Sequence, residues 1–285
     1  MSKKKSTHRK VKDHDYLPAH IGDSFAADLS HLVDELANSC GFKGSYLREE
    51  YLRKYCDSRT TPASVRRQAA VLKWMAVEER NRTTNQRLYL GDVDFGWTTS
   101  DALISRAREI IQQVLGRTPP PSLCSGGAHT FGASTRVRRG PQAAFLKHTG
   151  EAHVSESAIG IYCLAHSGTM MAEQPLKVFD SSVLFTVPKS TDIDRVACKE
   201  PEINMSLQRV AGSFIRSRLR RHGIDLNDQT VNQQLAQVAV KRGLATIDLS
   251  AASDSVSRQL VITLLPVDWW HYLDRIRVKS TLIDG

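Results

Sequence analysis

Asp248 and Asp254 stand six positions apart in the stretch ATIDLSAASDSVS, residues 245–257. Asp248 closes the short apolar run GLATID, residues 243–248, which reads as a strand. A carboxylate where a strand runs out into a turn is held by rigid backbone and can face a cleft. That position suits a hard cation such as Mg²⁺, which takes carboxylate oxygens in octahedral geometry. Ala251 and Ala252 leave room near the backbone, while Ser250, Ser253 and Asp254 offer hydrogen bonds to a sugar hydroxyl or a phosphate. The same spacing also fits a plainer arrangement, with Asp248 or Ser250 capping the next helix and Asp254 on the surface.

A second constellation precedes it, VPKSTDIDRVACKEPEINMSLQR, residues 187–209. Lys189, Arg195 and Lys199 recur between a strand-like run and a basic helix. Such cations hold a triphosphate and offset charge building up on a leaving pyrophosphate. Asp192, Asp194, Glu200 and Glu202 interleave with them, so an ordinary salt-bridged surface is the alternative.

The whole chain is basic, with a net charge of +9 over 285 residues, and its cations are clustered. Residues 1–12 hold six Lys/Arg and no carboxylate. Residues 117–150 hold Arg117, Arg136, Arg138, Arg139 and Lys147, and residues 203–224 hold Arg209, Arg216, Arg218, Arg220 and Arg221, again without carboxylates. Three such zones point to a groove for a phosphate backbone, or else to solvated faces that meet nothing. Other classes recede. No apolar run approaches the ~18–20 residues of a membrane span, and the basic N-terminus has no apolar core of a secretory signal. Cys40, Cys56, Cys124, Cys163 and Cys198 form no C-x-x-C pair, so neither a zinc site nor a disulfide framework is indicated.

The elements that must position these residues are mostly helices. ADLSHLVDELANSC places Leu29, Leu32, Val33 and Leu36 at helical spacing. The next helix takes Thr61 as cap, Pro62 as first residue, and Val65, Ala69, Leu72 and Ala76 as its apolar face. A third runs from a Ser100 cap to Gly116. Residues 122–150 read as a loop in which Gly126, Gly127, Gly132 and Gly140 permit close approach of a nucleic-acid strand, or as a plain solvent loop. Further helices fall at 153–166, over MSLQRVAGSFIRSRLRRHG, QTVNQQLAQVAVK, RQLVITLLP and WWHYLDRIRV, with one strand in SSVLFTVPKS. Helices with a few late strands define an α+β protein.

Taken in order, TVPKSTDIDRVACKEPEINMSLQ, GIDLNDQTVNQQLA and LATIDLSAASDSVSRQLV resemble the RNA-directed RNA polymerase β subunit, or replicase, of the single-stranded RNA bacteriophages, the leviviruses. The likeness is tight from about residue 183 onward and looser before it, where FGAST with its basic sequel looks like a family fingers loop. It implies a right-hand polymerase: a basic tail over 1–15, a helical region over 16–120, fingers over 121–240 and the start of the palm over 241–285. Asp248 then matches the first palm metal aspartate, bridging two Mg²⁺ ions about 4 Å apart. Ser253 and Asp254 fall where such enzymes sense the ribose of the incoming nucleotide. Lys189, Arg195 and Lys199 fall in the segment that contacts its triphosphate. Arg136, Arg138, Arg139, Arg216 and Arg220 would line the path of template and product RNA.

The family's Gly-Ser-rich second palm motif and Gly-Asp-Asp hairpin are not in this sequence, and TLIDG at 281–285 matches the stretch just before them. The resemblance therefore implies an N-terminal part of a replicase, inactive alone, with the remaining metal ligands expected beyond residue 285. It further implies NTP substrates, host elongation factors Tu and Ts as partners, a ribosomal protein in some members, no membrane association, and the cytoplasm of an infected bacterium. The alternatives from other classes are a non-catalytic RNA-binding protein and a metal-dependent nuclease.

Overall fold

The computed structural model describes residues 31–283 apart from 33, 36–37, 39–40, 51–52, 54–60, 95, 97–98, 126 and 246. The basic tail, Leu29, Val33, Leu36, Gly126, Cys40 and Cys56 thus lie outside the described residues. The chain divides into two compact units, one of residues 1–70 and 187–195, the other of residues 71–186 and 196–285.

Helix α1, in the first unit, is described over residues 41–50; helix α2 (Ala63–Leu90), whose first turns belong to the first unit and whose residues from 71 on belong to the second, begins one residue later than its sequence suggests. Pro62 lies just outside it, its carbonyl accepting the N–H groups of Val65 and Arg66, both at 3.0 Å. The face expected to be apolar is not the buried one. Val65 is 50% and Leu72 60% exposed, while Arg66 and Ala70, and further along Val77 and Asn81, are buried. A face that carries an arginine and asparagines leaves no hydrophobic period to read, because it buries its polar groups through specific partners.

The second unit is organised around α6 (Glu202–Arg221). Its first turns bury Ile203, Asn204, Leu207 and Ala211 against α3 (Ser100–Leu115), α5 (Ile159–His166), α9 (Val267–Ile276) and strand β1 (Ala152–Val154). Trp269 is the largest side chain in this core, stacked on Phe214 at 5.6 Å, with its indole N–H donated to the Gly116 carbonyl at 3.1 Å. A buried tryptophan needs such an acceptor, and Gly116, the stop of α3, supplies it. Helix α3 is capped by the Thr99 hydroxyl, one residue before the expected Ser100.

Two small sheets complete the unit. β1 pairs in parallel with β2 (Leu176–Val178). The other sheet has the order β4-β3-β5, with β3 (Ser181–Pro188) and β4 (Asp194–Lys199) joined by a five-residue connection too short for a parallel crossover. β5 (Ser280–Leu282) runs parallel to β3 with Ser181 opposite Ser280 and Ser182 opposite Thr281. The facing hydroxyls bond across the ladder at 2.7 and 2.8 Å. Residues 153–166, expected as one helix, instead open with β1, and the helix starts at Ile159. The expected strand over 243–248 is also replaced. After α7 (Thr230–Arg242) and a left-handed Gly243, none of the described residues 244–249 is in a strand. A short apolar run is held as a strand only where it pairs with another, and among the described residues neither small sheet includes this run. Helix α4 (Ala143–Lys147) interrupts the segment expected as loop, and α8 (Arg258–Leu264) follows the Asp254 turn. Helix dominance with small late sheets makes the fold α+β.

Candidate functional site

In the first unit the β3–β4 connection carries Lys189, and β4 opens with Asp194 and Arg195. Strand alternation turns successive side chains to opposite faces. Asp194 is buried and Arg195 exposed, as is Lys189. Arg66 Nε donates to Asp194 Oδ1 at 3.0 Å, and its Nη1 donates to the Thr61 carbonyl. Both side chains of the pair are under a tenth exposed, so this ion pair anchors the tip that presents the exposed Lys189 and Arg195. The Thr191 N–H, donated to the Arg53 carbonyl at 2.8 Å, adds a backbone tie. The mixture of charges in this segment therefore divides: Asp194 is structural, and Lys189 and Arg195 are left to solvent.

In the second unit Lys199 lies with its ammonium 5.0 Å from the centre of the Phe185 ring, a cation–π contact across β3 and β4. Asp248 is exposed in irregular chain and, among the described residues, makes no hydrogen bond or ion pair. It caps no helix: the cap of α8 is the buried Ser257, whose hydroxyl accepts from Leu260 N–H at 3.4 Å. The plainer arrangement for Asp248 therefore does not hold. Between them, residues 250–255 form turns around Ala251, whose φ of 54° is the left-handed conformation that non-glycine residues seldom adopt. The α2 asparagines fix this stretch. Asn81 Nδ2 donates to the Asp254 carbonyl at 2.7 Å, and Asn85 Oδ1 accepts the Gln259 N–H at 2.7 Å. Among the described residues the Asp254 carboxylate accepts only from its neighbour Ser253, at 3.3 Å. Among the described residues no three His, Cys, Asp or Glu side chains gather into a metal site. Asp248 is one carboxylate, and the other described residues do not complete a Mg²⁺ shell around it.

The Gly/Arg segment is built rather than loose. A Cβ on Gly127 would lie 2.5 Å from the Ser206 carbonyl, so the close approach this glycine permits is to α6. Ser134 is buried, and its hydroxyl accepts the Val137 N–H at 3.0 Å. Lys147 is almost wholly buried, with Nζ donating to the carbonyls of Thr130 at 2.8 Å and Gly132 at 2.6 Å. Burial pushes its pKa down, with Glu202 pulling the other way. Arg136 is committed: its Nε donates to Oε1 of the fully buried Glu202 at 2.7 Å and its Nη2 to the Leu146 carbonyl at 2.9 Å. Arg138 and Arg139 remain exposed. On α6, Arg216 and Arg220 are exposed, Arg216 contacting the Leu226 carbonyl and Asn227. His129 packs against His148 with ring centroids 4.5 Å apart; burial first, then electrostatic repulsion from the His148 and Lys147 positions, lower its pKa to about 4. Lys147, Glu202 and the two histidines were not singled out from the sequence as a cluster. The only signal was the Lys147 position inside a carboxylate-free zone.

The model of the RNA replicase, beta-chain family matches residues 12–285, and the chain belongs to that family. Among its relatives, the RNA-directed RNA polymerase beta chain of Enterobacteria phage GA is 38% identical over 259 residues, covering 85% of this chain and 47% of the relative. That of Enterobacteria phage fr is 36% identical over 252 residues, covering 85% and 46%. The RNA-directed RNA polymerase subunit beta of Escherichia virus Qbeta is 35% identical over 258 residues, covering 86% and 42%. The chain thus spans less than half the length of these relatives.

Proposed function

We propose that this chain forms the nucleotide- and template-handling part of an RNA-directed RNA polymerase that copies a phage RNA genome by templated nucleotidyl transfer from NTPs. The observation that supports it most is the family match over nearly the whole chain, residues 12–285. In this reading Asp248 contributes one carboxylate to the divalent cations of a two-metal centre, the other ligands lying outside the described residues. Its exposure and its lack of structural partners among the described residues are what such a role requires. Lys189, Arg195 and Lys199 contact the triphosphate, and Ser253 with Asp254 senses the ribose. Arg138, Arg139, Arg216 and Arg220 follow the RNA backbone, while Arg136 serves the Glu202 pair that shapes their loop. The regions at 1–15, 16–120, 121–240 and 241–285 correspond to tail, helical region, fingers and first palm segment. Elongation factors Tu and Ts, with a ribosomal protein in some members, are the host partners, and the cytoplasm of the infected cell is the setting.

The test is Mg²⁺-dependent incorporation of labelled NTP on an RNA template. The 285-residue chain alone should stay at background. The chain joined to the remaining half of a relative such as the phage GA polymerase should incorporate, and Asp248→Asn should reduce that activity by about a thousandfold or more. Activity that survives Asp248→Asn overturns the metal assignment. An absence of RNA affinity in the chain overturns the polymerase reading itself.

A further inference from the structure

Asn81 is 9% exposed, on the same face of α2 as the buried Val77 one turn earlier. An amide at a buried helix position is a cost unless it finds a partner. The partner here is the backbone of the Asp254 turn: Asn81 Nδ2 donates to the Asp254 carbonyl at 2.7 Å, across 173 residues of sequence. One turn further along α2, Asn85 Oδ1 accepts the Gln259 N–H at 2.7 Å. Gln259 is the second residue of α8, where an N–H has no partner inside its own helix. The two asparagines thus grip the chain at the end of the turn and at the start of the next helix.

The turn needs that grip. Ala251, at a φ of 54°, holds a conformation that persists in a non-glycine residue only where the surroundings impose it. The turn's own bonds are short-range. The Ser255 N–H is donated to the Ala251 carbonyl at 2.9 Å, the Val256 N–H to the Ser253 carbonyl at 3.5 Å, and the Ser255 hydroxyl to the Ala252 carbonyl at 3.1 Å. These begin and end within residues 251–256, so they shape the turn without tying it to the fold. The Asn81 bond ties it, at the residue whose side chain matters most. An aspartate has two side-chain torsions, so a fixed Cα leaves its carboxylate a few staggered positions. The Asp254 carbonyl carbon is bonded to that Cα, and holding the one places the other. Among the described residues the exposed carboxylate has only the Ser253 hydroxyl at 3.3 Å, so its aim is set through the backbone. Sensing a hydroxyl demands placement to within about 0.5 Å.

We propose that Asn81 is a positioning residue for sugar selection: by holding the Asp254 carbonyl it sets where the Asp254 carboxylate meets the 2′-hydroxyl of the incoming nucleotide. This rests on the ribose role proposed above for Asp254 and adds the residue that aims it. Two measurements test it. In the 285-residue chain, amide hydrogen exchange over residues 250–256, followed by mass spectrometry, should quicken about tenfold in Asn81→Ala, the loss of one hydrogen bond. Unchanged exchange there overturns the grip and the proposal with it. In the chain joined to the remaining half of the phage GA polymerase, the readout is kcat/KM for ATP divided by that for dATP. This ratio should fall about tenfold in Asn81→Ala and about a hundredfold in Asp254→Ala, with the double variant no lower than Asp254→Ala alone. A smaller folded fraction lowers both rates together and leaves the ratio where it was, so a merely structural Asn81 does not move it. An unchanged ratio in Asn81→Ala beside a fallen one in Asp254→Ala overturns the positioning role and keeps the ribose reading. A double variant lower than both singles places the action of Asn81 elsewhere than through Asp254 and overturns the role equally. An unchanged ratio in Asp254→Ala overturns the ribose reading itself.

Discussion

Removing the Asp194 carboxylate should release the β3–β4 tip. Arg66 and Asp194 are 6% and 7% exposed and 3.0 Å apart. Deleting one partner of a buried pair leaves the other charge desolvated, which costs about 3–5 kcal/mol, more than the net worth of the pair itself. For Asp194→Ala the stranded group is the Arg66 guanidinium, left with the Thr61 carbonyl. A cost of about 3 kcal/mol multiplies the open population of the tip by about 150. Trypsin reads that population directly, because the tip carries its own cleavage sites at Lys189 and Arg195, both exposed. Cleavage after these two residues, mapped by mass spectrometry, should therefore accelerate by about two orders of magnitude in Asp194→Ala. The double substitution Arg66→Met with Asp194→Leu removes both charges together and should return the rate to within about tenfold of the parent. An unchanged rate in Asp194→Ala would mean that the pair does not anchor the tip. A double variant as fast as the single one would refute the stranded-charge reasoning, since packing rather than charge would then be at stake.

Other consequences concern the second unit. Asn204 is fully buried and bonds to the Ser155 N–H and hydroxyl and to the Ile276 carbonyl. Because Ile276 also accepts from Gln208, Asn204→Leu orphans chiefly one donor, the Ser155 N–H, and should cost about 1–3 kcal/mol in urea unfolding rather than the sum of three bonds. The His129 pKa is lowered to about 4, so the unfolded chain takes up a proton first as the pH falls below about 6.5. Its contribution to stability is present above that value and is lost toward pH 4, which NMR titration of the ring with parallel melting curves would follow. Tyr272, its hydroxyl donated to the Leu123 carbonyl, is pushed up by burial to about 12. The unfolded chain then loses its phenolic proton first, and stability should fall as the pH rises from about 10 to 12, read by tyrosinate absorbance.

What could be read in advance follows the range of the interaction responsible. β3 announces itself by a local run of Val, Leu, Phe and Thr, and α3, α6 and α9 by local apolar periods ending at Gly116, Gly223 or a break. β4 does not: DRVACK is charged and mixed, and it is a strand because β3 offers it an edge and Arg66 fixes its first residue. β1 and β2 are three residues each, too short to show any period. The buried face of α2 eluded hydrophobic patterning for the same reason that it works, since Asn81 and Asn85 are there to hold the Asp254–Gln259 backbone, more than 170 residues away. At the site the asymmetry is sharper. A cation in a sequence is equally available to a phosphate or to a carboxylate, and only the fold decides: it spends Arg66 on Asp194 and Arg136 on Glu202, and leaves Arg195, Arg209 and Arg220 outside. Asp248 stands apart by the opposite route: its neighbours Ala and Ser give it nothing local to pair with, and among the described residues it is exposed without a hydrogen bond or ion pair, which leaves it available for the role proposed above.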